Sequence, residues 1–210
     1  MADILPMFPL SLIAFPEEEV NLHIFEPRYK QLIYECYQDK KTFCILPYFE
    51  NKPLEFATEM ELIDIAKTYE DGKMDIHTKA KGVVKVLEFF PQHPNKLYPG
   101  AEIEKVTWDT TPATELTMEI IPLLHQLYKT MNITNVPVKD ALAFRSYQNI
   151  HKIGLSTEDE LFLLSTTEEK DRLLYILNHL KGFVPMMLEA EELRRKAELN
   201  GHFKNLKPGI

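Results

Sequence analysis

The strongest constraint on how this chain can fold is a change of hydrophobic period near Trp108. Before it, Met74, Ile76, Thr78 and Ala80 alternate with Asp75, His77, Lys79 and Lys81, the spacing of a strand with one wet face. After it, Leu116, Ile120, Leu123, Leu124, Leu127 and Met131 fall into one helical stripe. Strands first and helices second define an α+β protein in two parts. The boundary is expected between residues 1–107 and 108–210. With 210 residues and 45% apolar side chains, the chain can bury a core without disulfides.

In the first part, strands are expected over 10–15, 20–25, 43–47, 74–80, 83–89 and 101–106, and through Met60, Leu62 and Ile65. Glu70-Asp71-Gly72-Lys73 reads as a hairpin turn, because Gly accepts positive φ. Many short strands punctuated by prolines suggest a small barrel or curled sheet. One helix interrupts them at about 27–39: Pro27 suits the first helical position. Tyr29, Leu32, Ile33 and Cys36 share one of its faces. In the second part, a helix interrupted or kinked at Pro122 is followed by helices over 138–153, after Ser156, over 170–180 and over 184–199. Ser156 and the acidic run behind it look like an N-cap and first turn. Asn200-Gly201 looks like a C-terminal stop.

The seven glycines, at 72, 82, 100, 154, 182, 201 and 209, test several chemistries together. None has the spacing of a P-loop, a dinucleotide fingerprint or a nucleophile elbow. No two of the seven histidines lie close enough for a His-Glu-x-x-His site, and two cysteines cannot build a four-cysteine zinc site. Cys36 on the apolar helix face and Cys44 in an apolar strand read as small core hydrophobes rather than nucleophiles. Nothing in these patterns argues for an enzyme, a cofactor or a metal. The net charge is −8. Residues 1–107 hold 12 basic and 18 acidic groups, net −6, a poor match for a phosphate backbone. The apolar run near the N-terminus is broken by Pro6 and Pro9, so neither a signal peptide nor a membrane span is expected. A soluble, cytoplasmic protein is expected.

One stretch is far from generic: Leu5-Pro6-Met7-Phe8-Pro9-Leu10, Ala14-Phe15-Pro16, then Leu22-His23-Ile24-Phe25-Glu26-Pro27-Arg28-Tyr29. It resembles the opening of the Lon protease N-terminal, substrate-binding domain, as found in stand-alone bacterial members of that family. Asp71-Gly72-Lys73, a strand and Gly82 are similar to a later segment of the pattern. The resemblance implies a PUA-like β-barrel followed by a helical bundle, without the ATPase ring or the Ser-Lys peptidase of full-length Lon. It implies a non-enzymatic polypeptide-recognition module, an adaptor or weak chaperone-like binder. Its expected partners are unfolded or hydrophobic segments and an AAA+ protease. The signature residues Phe8, Pro9, His23, Phe25, Glu26, Arg28 and Tyr29 are then the candidate binding surface.

Those residues also have a purely structural reading. Phe25 ends a strand, Glu26 accepts helix N-terminal amides, Arg28 pairs with a carboxylate across the barrel mouth, and Tyr29 packs beneath the helix. Polypeptide could be held by strand addition at a barrel edge or by an apolar patch between the two parts, and the sequence leaves both open. The alternative function, an RNA-binding PUA-like protein, rests on the fold analogy and is opposed by the acidic charge.

Overall fold

The computed structural model describes residues 4–49, 52–93 and 95–204. By internal contacts the chain divides into two compact units. One is Met1–Trp108 with Leu161–Thr167, and the other is Asp109–Glu160 with Glu168–Ile210.

The first unit contains β1 (Ile4–Leu10), β2 (Glu19–Ile24), α1 (Pro27–Asp39), β3 (Phe43–Phe49), β4 (Lys52–Pro53), β5 (Phe56–Thr68), β6 (Met74–Phe90) and β7 (Gly100–Lys105). The sheet runs β1-β7-β6-β5-β3, and β3 pairs back onto β1 in parallel. That last pairing closes a five-stranded barrel. β2 hydrogen-bonds to β6, and β4 to β3, outside the closed ring. The Asp71–Gly72 turn forms as expected, with Gly72 at φ 74° and the Tyr69 N–H donating to the Lys73 carbonyl at 2.8 Å.

β3 shows why a continuous apolar run is a strand here. Phe43 and Ile45 join a core cluster containing Leu32, Ile33 and Cys36 of α1. Cys44 and Leu46 join a second cluster with Met7, Ala57, Val84 and Ala101. Both faces are dry, so alternation disappears. α1 starts at Pro27 and buries Tyr29, Leu32, Ile33 and Cys36, Leu32 and Ile33 each contributing about 1.5–3 kcal/mol. Lys40 ends it in the left-handed region at φ 54°, its N–H bonded to the Cys36 carbonyl.

Two expectations fail in this unit. Residues 10–15 are not a strand: β1 lies earlier, at Ile4–Leu10, and takes in both Pro6 and Pro9. The segment after it is buried as irregular chain, with Ile13, Ala14 and Phe15 at most 3% exposed. The buried Thr58 hydroxyl donates to the Ala14 carbonyl at 2.6 Å, so a side chain takes the place of a strand partner. The strands expected at 74–80 and 83–89 are one strand, β6. β2 pairs with β6 at Met74–Lys79 and β7 pairs with it at Val84–Phe90, so two strands share one long neighbour around Gly82.

The second unit holds α2 (Thr114–Thr130), a 3-10 turn (Ile150–Lys152) and α4 (Glu169–Lys204), and it receives the start of α3 (Thr157–Ser165). Ser156 caps α3 as expected: its hydroxyl accepts the Asp159 N–H at 3.2 Å and donates to the Asp159 carboxylate at 2.6 Å. α2 runs unbroken through Pro122 because Ile120, Leu124 and Leu127 are buried on both sides of it. The helix expected over 138–153 does not form. Asp140 accepts the Leu142 and Ala143 amides at 3.0 and 2.9 Å, and Arg145 donates to the Leu142 and Phe144 carbonyls. Side chains thereby take up the groups a helix would have used. The two helices expected over 170–180 and 184–199 are one, α4, which passes through Pro185 and also overruns the Asn200-Gly201 stop. Leu173, Ile176, Leu177, Leu180 and Val184 give it a single buried stripe that spans Gly182. Packing here outweighs a local helix breaker.

Candidate functional site

Of the signature residues, His23, Phe25, Glu26, Arg28 and Tyr29 lie where β2 ends and α1 begins, while Phe8 and Pro9 lie on β1, and they range from buried to exposed. Phe8 and Tyr29 are buried, their rings stacked at 3.9 Å. Arg28 lies over the Tyr29 ring at 4.6 Å. Burial is the main reason the Tyr29 hydroxyl is pushed above its ordinary pKa. Pro9 pairs with Leu46 across the parallel closure. The expected cap at Glu26 is absent: its side chain makes no bond to the helix amides and accepts from Arg28 at 2.8 Å instead. The Arg28 pairing is therefore local and does not reach across the barrel.

His23 and Phe25 face outward. Phe25 is 58% exposed and its ring stands 6.3 Å from that of His23. His23 Nδ1 lies 2.6 Å from Asp75 Oδ1. An ionised carboxylate only accepts, so the imidazole proton sits on Nδ1. The Tyr69 hydroxyl donates to Asp75 Oδ2 at 2.7 Å, and its ring meets His23 edge-on at 5.8 Å. Lys67 lies over the Tyr69 ring at 4.4 Å. The bonds from His23 and then Tyr69 hold the Asp75 carboxyl below its ordinary pKa. The bond to Asp75 raises the Tyr69 hydroxyl. Lys67, Tyr69 and Asp75 escaped the sequence reading. The hairpin was the available signal, since counting outward from Asp71 sets Lys67 opposite Asp75.

The arrangement can offer aromatic surface, one imidazole and an ion-paired rim. It has no nucleophile poised beside His23. Cys36 and Cys44 are buried and free; burial pushes the Cys36 thiol up to about 12 and raises Cys44 further. Neither forms thiolate at neutral pH. Thiol alkylation at neutral pH is expected only along with global unfolding in urea; rapid labelling of the native protein would contradict this burial. Among the described residues, no group of three or more His, Cys, Asp or Glu is placed to hold a metal ion. No helix there is long and apolar enough to cross a membrane.

A closed barrel with α1 packed on it, followed by a helical unit, is a fold shared with solved Lon N-terminal domains. Residues 4–182 match the family model of the ATP-dependent protease La (LON) substrate-binding domain, and the chain belongs to that family. A Lon N-terminal domain protein from Xanthomonas campestris superposes with a TM-score of 0.63 at 21% identity, covering 84% of this chain and 98% of that one. The N-terminal domain of Mycobacterium avium complex Lon protease gives 0.63 at 12% identity, covering 86% and 99%. In sequence, the chain is 29% identical over 120 residues to a LON peptidase N-terminal domain and RING finger protein of Schizosaccharomyces pombe. That match takes in 48% of this chain and only 24% of that relative.

Proposed function

We propose that this protein is a non-catalytic recognition module that holds unfolded or apolar polypeptide segments, as an adaptor or weak chaperone-like binder serving an AAA+ protease in the cytoplasm. The observation that carries this reading is the exposed aromatic group at the end of β2. Phe25 stands beside His23, which in turn meets the Tyr69 ring edge-on, and more than half of the Phe25 surface lies in water. Aromatic side chains in such positions bind apolar groups at little entropic cost. Membership of a substrate-binding family supports the same reading. The net charge of −6 over residues 1–107 favours polypeptide over RNA.

The test is titration of the protein against reduced, carboxymethylated α-lactalbumin and against peptide arrays. Saturable binding in the micromolar range is expected; none below millimolar would remove the proposal. Phe25→Ala is expected to weaken binding at least about tenfold, a loss of ~1.4 kcal/mol. It should leave unfolding within about 0.5 kcal/mol of the parent, since the ring contributes little to the core. Recovery of an AAA+ protease with the protein from native lysate would distinguish the adaptor from the chaperone-like role.

A further inference from the structure

β2 is an unbulged open edge of the sheet. Among the described residues the outer side of β5 beyond Met60 also lacks a strand partner, but its ladder to β6 shifts register at Leu62/Asp64 and Ile65/Lys67. Among the described residues β2 pairs with β6 alone, and the other strand outside the barrel ring, β4, is only two residues long. The phase of the ladder shows which groups are free. The Ala80 N–H donates to the Glu18 carbonyl at 2.8 Å, and the register sets Glu19 against Lys79, Val20 against Thr78, and so on to Ile24 against Met74. Hydrogen-bonded and non-hydrogen-bonded pairs alternate in an antiparallel ladder. Val20, Leu22 and Ile24 therefore bond to β6, while Glu19, Asn21 and His23 turn both their N–H and C=O outward. The side chains of these same three residues are exposed. The usual guards of an edge strand are proline, lysine and bulges. β2 has none of them; its one guard is Glu19.

We infer that the outward edge of β2 at Glu19, Asn21 and His23 takes an extended polypeptide segment as an added strand, with Phe25 at its end. This rests on the polypeptide-binding reading and says where and how the client is held. The edge offers three donors and three acceptors in strand spacing, the pattern that an extended main chain complements. The two faces beside it differ. Val20 and Ile24 are buried and Leu22 packs against the core cluster, so client residues on that side should be apolar. On the other face Glu19 has no ion pair among the described residues, so the polar client positions should be basic. The preferred client is thus a segment alternating apolar and basic residues, in which every second side chain faces the core side.

The experiment uses the whole chain and a peptide of roughly eight residues alternating valine with lysine. Peptide addition should slow amide exchange at Asn21 and His23 at least about tenfold, leaving Leu22, already bonded to β6, little changed. The same peptide N-methylated at alternate residues should lose binding, because its donors are removed. Asn21→Pro removes one outward N–H without touching the β6 ladder, and residue 20 already has the extended backbone that proline requires before it. This variant should fold and bind at least about tenfold more weakly. If the N-methylated peptide binds as well as the parent peptide, strand addition is overturned, while the polypeptide-binding reading stands on the Phe25 result. If the protein binds neither this peptide nor carboxymethylated α-lactalbumin, both fall. If Asn21 and His23 become protected at high protein concentration without peptide, as the mass doubles, the occupant is a second copy and the inference is also overturned.

Discussion

Replacing Glu169 by alanine is expected to lower stability by about 3–5 kcal/mol, the cost of leaving a buried charge without its partner. Glu169, Arg172 and Ser146 are each 1% exposed. Glu169 accepts from Arg172 at 2.6 Å and from the amide and hydroxyl of Ser146 at 2.8 and 2.7 Å. Arg172 also donates to Ser146 Oγ at 2.8 Å and to the Asp109 carbonyl at 2.7 Å, and lies over the Tyr147 ring at 4.7 Å. One carboxylate thus ties the first turn of α4 to the irregular chain over 138–149. Urea unfolding monitored by circular dichroism is the check, and a loss under about 1 kcal/mol would show that the network is redundant. The double variant Glu169→Leu/Arg172→Met should recover only the share due to the unpaired charge, because the buried Ser146 amide and hydroxyl and the Asp109 carbonyl still lose these partners. Salt should change little, since buried pairs are poorly screened.

Gly154→Ala is the second large effect, at about 2–4 kcal/mol. Gly154 has φ 75°, and a Cβ there would lie 2.3 Å from Phe183 Cζ. The left-handed backbone costs an alanine about 1 kcal/mol, and forced overpacking adds roughly 1–3 kcal/mol. The Phe183 ring cannot easily yield. It stacks on His179 at 5.2 Å, and His179 Nε2 is itself 2.8 Å from the Ile153 carbonyl. In a Phe183→Ala background the clash is gone, so the same glycine substitution should cost only about 1 kcal/mol, the backbone share. Equal costs in the two backgrounds would show that the ring is not the obstacle.

Where a local rule and burial agree, structure was legible in the sequence. Pro27 and the stripe Tyr29, Leu32, Ile33 and Cys36 located α1, and Asp71-Gly72 located the hairpin. Errors arose where tertiary contacts decide. Residues 138–153 carry helical spacing, yet Asp140, Arg145 and Glu169 claim the backbone groups of their first half. Pro185 and Gly182 look like an end to a helix whose buried stripe in fact runs through Gly182. In the candidate site, the residues close in sequence were visible: His23, Phe25, Glu26 and Arg28. Tyr69 and Asp75 reach His23 only through the register of β2 on β6. Short-range patterns carry no record of such a register.

The parallel closure of the barrel also bears on how the chain reaches its fold. β5 and β6 meet across a tight turn, so their pairing is local and fast. β1 has no such neighbour: Met7 pairs with Cys44, and Ile4 with Glu102. The first strand of the barrel therefore gains its second neighbour only after β7 has been made. Until then β1 stays unpaired on one side. High contact order slows such pairings, which places barrel closure among the last steps of folding, with the β5–β6 hairpin as the natural starting point.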